Sequence, residues 1–109
     1  MASFGQKIRE LRKKNSFTQR ELAKREGINF TYLSKIENDK LEPNQFPRED
    51  TIKKLSEALH ADLDELLLLA QKIPESIRQR VIQRPDVFRK MASLDDKVLD
   101  KWLGELDKQ

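Results

Sequence analysis

The 109-residue chain is predicted to be all-α, with a five-helix domain over residues 1–72 followed by a helical extension over residues 73–109. Three observations predict this. A capping residue followed three positions later by Glu or Gln marks helix starts at Ser3/Gln6 and Thr18/Glu21. Apolar residues then recur at three- and four-residue spacing, the period of a helix with one buried face. Gly27 stands between two helix starts, where a residue able to take positive φ lets one helix end and the chain turn sharply.

The first helix is expected from Ser3, burying Phe4, Ile8 and Leu11, with Lys13, Lys14 and Asn15 closing it. The second starts at Thr18, whose hydroxyl oxygen accepts an orphan amide of the first turn while Glu21 reaches back to the cap's own N–H. Phe17 and Leu22 staple its entry. Asn29 caps the third helix, and Ile28 and Leu33 form a second staple, which makes both of them core residues. Two short helices that cross steeply are the expected result. Asp39, Pro43, Asn44 and Pro47 mark residues 38–50 as a loop. A fourth helix is expected to begin between Pro47 and Thr51, with Pro47 in its first turn, and to present Ile52, Leu55, Ala58 and Leu59 as one stripe before ending near His60. The fifth is expected to be capped by Asp62 with Glu65 three residues on, and its Leu63, Leu66, Leu67 and Ala70 close the core.

In the extension, Pro74 opens a helix bearing Ile77, Val81 and Ile82, and Pro85 interrupts and restarts it with Val87, Phe88 and Met91. A last helix is expected from Ser93, with Asp96 three residues later. Its Leu94, Val98 and Trp102 repeat at four-residue intervals beside Leu99, Leu103 and Leu106, an apolar face wide enough to demand a covering surface. A second subunit is the preferred cover, through Val98, Leu99, Trp102, Leu103 and Leu106. Folding back onto the chain's own domain is the alternative.

Thr18 to Ala23 reads Thr-Gln-Arg-Glu-Leu-Ala, Gly27-Ile28 lies at the turn, and Leu33 to Asn38 reads Leu-Ser-Lys-Ile-Glu-Asn. Over residues 4–70 the chain resembles the Cro/XRE-type helix-turn-helix of phage-repressor-like transcription regulators. The loop 38–50 departs from that pattern by being longer. The resemblance implies a sequence-specific regulator of transcription that binds double-stranded DNA, a homodimeric repressor reading an inverted repeat through the major groove. Carried over residue by residue, it implies base-reading places at Phe30, Thr31 and Lys35 and backbone-contacting places at Gln19 and Asn38. Lys35 suits guanine O6 or N7, Thr31 a base edge or thymine methyl, and Phe30 thymine methyls, unless Phe30 packs instead on Tyr32 or Phe46. Asn29 is first a cap and second a phosphate contact. Lys14 and Lys40, with Lys7, Arg9 and Lys24, are further phosphate candidates or plain surface charges. Arg12 and Glu37 occupy places that resemble an internal ion pair bracing the first helix against the third. A second reading makes the chain an antitoxin or adaptor whose C-terminal helices bind a partner protein, with DNA binding used for autoregulation.

The charge distribution agrees with a basic DNA-facing region. Residues 1–40 hold ten Lys and Arg against five Asp and Glu, residues 41–72 four against seven, and residues 73–109 eight against seven. Cysteine is absent, which excludes disulfides and thiolate metal sites. His60, the lone histidine, sits where the family places a C-cap glycine and is read as a cap rather than a ligand or a general base. No catalytic constellation, cofactor motif or metal set is visible, so no enzymatic activity is expected. The longest apolar run, Leu66 to Ala70, is far shorter than a membrane span, and a cytoplasmic protein is expected.

Overall fold

The computed structural model describes residues 2–42 and 46–109, and all of its regular structure is helical. The chain divides into two compact units after Pro74. The first holds α1 (Phe4–Lys14), α2 (Gln19–Glu26), α3 (Phe30–Glu37), α4 (Glu49–Leu59) and α5 (Leu63–Leu69). The second holds α6 (Glu75–Gln83), α7 (Pro85–Ala92) and α8 (Asp96–Leu106).

Both expected capping boxes of the first unit form. Ser3 Oγ accepts from the Gln6 amide while Gln6 Oε1 accepts from the Ser3 amide, and Thr18 and Glu21 exchange the same pair of bonds. Asn29 Oδ1 accepts from the amides of Thr31 and Tyr32 at 2.8 and 3.2 Å. The stripes converge on one core of Phe4, Ile8, Leu22, Ala23, Leu33, Ile36, Ile52, Leu55, Ala58, Leu59, Leu66, Leu67 and Ala70, with Leu11, Phe17, Ile28 and Leu63 packed against it. Helix α3 lies against both α1 and α2, and α4 against α1, α2 and α5.

All five helices of this unit stop in the same way. Ser16, Gly27, Asp39, His60 and Gln71 each take a left-handed φ between 53° and 65°. The next amide then turns back to a carbonyl of the last turn: Phe17 to Arg12, Ile28 to Ala23, Lys40 to Lys35, Ala61 to Ser56 and Lys72 to Leu67. This closure satisfies the orphan carbonyls of a helix end. Only one of the five positions is glycine, so four of the stops hold a side chain in a conformation that costs about 1–2 kcal/mol.

Three helix starts differ from expectation. Pro47 is fully buried and lies ahead of α4, whose cap is Arg48 in extended backbone with no side-chain bond. The proline ring serves packing, and Glu49 and Asp50 supply the negative first turn that the helix dipole favours. Asp62 caps α5 by accepting from the Asp64 amide, while Glu65 turns away to Lys7 Nζ at 3.4 Å in place of a capping box. Helix α8 is capped by Asp95, which accepts from the Val98 amide at 3.0 Å, and not by Ser93. The Ser93 hydroxyl donates instead to the Lys90 carbonyl at the end of α7. The loop markers Pro43 and Asn44 lie outside the described residues.

In the second unit Pro85 occupies the first turn of α7, as its missing N–H allows. Phe88, Met91, Leu94, Val98 and Leu99 are half-buried, whereas Trp102, Leu103 and Leu106 are exposed. Val87 and Met91 of α7 and Trp102 of α8 share the walls of a shallow cleft of about 330 Å³.

Candidate nucleic-acid interface

Helix α3 turns one face to solvent and is held from behind by the other. Leu33, Ile36 and Glu37 of α3 are buried, while Phe30, Thr31 and Lys35 on the same two turns face solvent. Glu37 is the anchor. Its side chain has no exposed area, and it accepts from Arg12 Nε at 2.7 Å and Arg12 Nη2 at 2.9 Å, a fork-to-fork pair between α1 and α3. Gln19 Nε2 of α2 donates to the same carboxylate at 3.1 Å, and Arg9 Nε stands 3.7 Å away. Arg12 Nη1 also donates to the Phe17 carbonyl at 2.8 Å, which ties the turn before α2 into the network. No buried side-chain nitrogen or oxygen is left without a partner among the described residues.

Close packing reinforces the anchor. Gly5 of α1 lies so near the end of α3 that a Cβ there would overlap the Ile36 carbonyl oxygen and crowd Asp39. The Asp39 carboxylate accepts from Ser3 Oγ at 2.8 Å, a second bond between the start of α1 and the end of α3. Asn38, the cap of α3, donates through Nδ2 to the Ser34 carbonyl at 2.8 Å and accepts from Arg9 Nη2 at 2.7 Å. Two neighbours are therefore not free for outside partners in the way their sequence positions imply: Gln19 and Asn38 both spend side-chain groups on the internal frame. Asn29 likewise spends its oxygen on the cap. Lys14 and Lys40 are exposed, and Lys7 is paired with Glu65.

Phe30 meets a partner not expected for it from the sequence. Its face is covered by Arg20 of α2, with the guanidinium carbon 4.4 Å from the ring centroid. Arg25 lies similarly over Phe17, at 5.2 Å. Burial raises the Tyr32 hydroxyl above its ordinary value, and the charge of Asp50 adds to the effect. Sequence reasoning missed Arg20 and Gly5. The signal available for Arg20 was its sign, since a cation in the first turn of a helix opposes the dipole.

Among the described residues there is no metal-ligating cluster, and no helix is long and apolar enough to cross a membrane. A pair of short helices packed on one another through a left-handed turn at Gly27, the second with Thr31 and Lys35 turned to solvent, defines a helix-turn-helix protein. The family described as helix-turn-helix domain matches residues 5–72, and the chain belongs to it, with a helix-turn-helix of the Cro/XRE type. It is 40% identical over 82 residues to the uncharacterized HTH-type transcriptional regulator RghRB of Bacillus subtilis (strain 168), covering 72% of this chain and 57% of that protein. It is 39% identical over 75 residues to the HTH-type transcriptional repressor RghR of the same organism, covering 69% of this chain and 53% of that protein. The chain therefore spans just over half the length of the curated relatives it matches. In fold it is similar to a chain of the SinR protein/SinI protein complex, with a TM-score of 0.54, 22% identity, and coverage of 95% of this chain and 94% of that one.

Proposed function

We infer that the chain acts in the cytoplasm as a homodimeric repressor, binding an inverted repeat in double-stranded DNA with α3 in the major groove. The observation that carries this reading is the division of α3 into a face buried and anchored through Glu37 and a face where Thr31 and Lys35 are free. A rigid helix with unspent donors is what base readout requires. Lys35 donates to guanine O6 or N7, Thr31 meets a base edge or thymine methyl, and Phe30 stands at the start of the helix. Gln19 lies in the first turn of α2, where backbone N–H groups and the helix dipole favour a phosphate. Asn29, Lys14 and Lys40 add backbone contacts, and Asn38 contributes by orienting Arg9. The family's role is regulatory rather than catalytic.

Dimerisation is assigned to α8. Val98 and Leu99 are half-buried, so the free part of the face is Trp102, Leu103 and Leu106. The repressor RghR among the relatives supports the sign of regulation. A two-fold dimer presents two recognition helices one helical turn apart, roughly 34 Å. A footprint on the chain's own promoter should show two half-sites at that spacing, and inserting half a turn between them should abolish binding. Binding indifferent to the insertion would reject the reading.

The same exposed face of α8 also favours a second reading, in which a different protein covers it and the chain works as an antitoxin or adaptor. The solved neighbour is itself part of a two-protein complex. Sedimentation separates the two: a dimer supports self-association, and a monomer with the Trp102 face open supports a foreign partner.

A further inference from the structure

We propose that Arg20 is a specificity-determining residue, reading one guanine per half-site from a platform made by Phe30. The proposal rests on the DNA-binding reading above and deepens it. Arg20 lies in the first turn of α2, where its positive charge opposes the helix dipole, so helix stability does not account for it. Its guanidinium reaches across the turn to lie 4.4 Å from the centre of the Phe30 ring, over the first residue of α3. Among the described residues it forms no ion pair. Nearby arginines differ: Arg12 is spent on Glu37, and Arg9 on Asn38 and Glu37.

Stacking uses the flat face of a guanidinium and leaves its in-plane N–H donors unspent. Those donors form the fork that matches guanine O6 and N7, and the Phe30 ring holds them at the N-terminal end of α3, the part of a recognition helix that meets the major groove. The ring restricts where the long side chain can point, which lowers the ordering cost of the contact. Phe30 then serves as support for Arg20, with its covered face unavailable to a thymine methyl.

The test is a selection of binding sites from randomised duplexes, followed by titration on the recovered site, for the full chain and for Arg20→Ala, Arg20→Lys and Phe30→Leu. The wild type should recover a guanine that Arg20→Ala no longer selects, with a loss of about 5- to 150-fold on the selected site, the worth of one bidentate contact. Arg20→Lys should lose the same preference, because an ammonium is a point charge without the fork. Phe30→Leu keeps apolar bulk but removes the platform, and it should weaken the same guanine preference. Replacing that guanine by 7-deazaguanine removes N7 and should cost the wild type affinity while leaving Arg20→Ala unchanged.

If Arg20→Ala weakens all duplexes equally and returns the wild-type motif, or Arg20→Lys behaves as wild type, Arg20 is a phosphate contact and the proposal is overturned. A Phe30→Leu variant that loses only a thymine preference overturns the platform role. If the wild type itself recovers no motif, the DNA reading fails together with the proposal, an outcome distinct from a wild-type motif that Arg20→Ala leaves unmoved. Equal thermal melts of the variants establish that these exposed substitutions leave the fold intact.

Discussion

Replacing Arg12 by Met keeps the unbranched stem that packs between α1 and α3 but removes the guanidinium. Glu37 then loses bonds of 2.7 and 2.9 Å from a carboxylate with no exposed area, and the Phe17 carbonyl loses its donor. Breaking a buried pair from one side costs about 3–5 kcal/mol, because the remaining charge is left uncompensated. Gln19 still donates at 3.1 Å, and Arg9, 44% exposed and 3.7 Å away, offsets part of the loss. The expected cost is therefore near the lower bound, about 3 kcal/mol. For a helical unit of this size each kcal/mol moves Tm by about 4–8 °C, so the melt should fall by about 12–24 °C. Thermal and urea denaturation at neutral pH would be run on the wild type, Arg12→Met, Glu37→Leu and the double variant. The double variant should recover most of what Arg12→Met loses, since no charge remains buried. An Arg12→Met melt within about 3 °C of wild type, or a double variant whose losses simply add, would refute the argument.

Lys35→Ala should cost about 1–3 kcal/mol in binding and relax selectivity at one base pair per half-site, whereas Gln19→Ala should weaken all sequences alike; site selection distinguishes the two. The Thr18 backbone and hydroxyl bonds hold the Glu21 carboxyl below its ordinary value, so the unfolded chain binds more protons there and stability falls as pH drops through the carboxylate range. Acid titration of the melt should show a shallower decline for Glu21→Gln, and an unchanged slope would count against the box. Ser16→Gly should raise stability by about 0.5–1 kcal/mol, the relief of a left-handed side chain less the extra freedom glycine gives the unfolded state. Trp102→Glu should convert a sedimenting dimer to monomer, and a dimer that persists would move the interface elsewhere.

Helix starts and apolar stripes were readable because they are local: Ser3 with Gln6, Thr18 with Glu21, and Ile52 with Leu55 and Leu59 state their geometry within a few residues. The stops were readable only where the residue type advertises the conformation, at Gly27 and His60. Ser16 and Gln71 adopt the same turn, held there by the backbone bond of the following residue, and nothing in their side chains announces it, whereas Asp39, of a type that tolerates a left-handed φ, was legible only as a loop marker. The last start misled for a related reason. Ser93 and Asp95 both precede acidic first turns, and the choice fell to the carboxylate once the Ser93 hydroxyl had bonded backward to Lys90. At the site, Phe30, Thr31 and Lys35 could be assigned to one helix by spacing. Arg20 over Phe30, Gln19 on Glu37 and Gly5 against Ile36 join residues ten or more positions apart on different helices, and such meetings are settled by packing rather than by pattern.

On α3 the residues that hold the fold and those free to touch a ligand alternate within each turn but share no atoms. Among the described residues, the side chains of Thr31 and Lys35 make no hydrogen bond or ion pair to the frame, whereas Leu33 and Ile36 pack in the core and Glu37 bonds to Arg12 and Gln19. On the proposed DNA-binding role, a change of outward residue therefore alters what is read without a folding penalty that a second substitution must repair. New target preferences are then reachable through single, individually tolerated steps, each starting from a stable protein. The inward residues allow no such steps, because Glu37 answers to three helices at once.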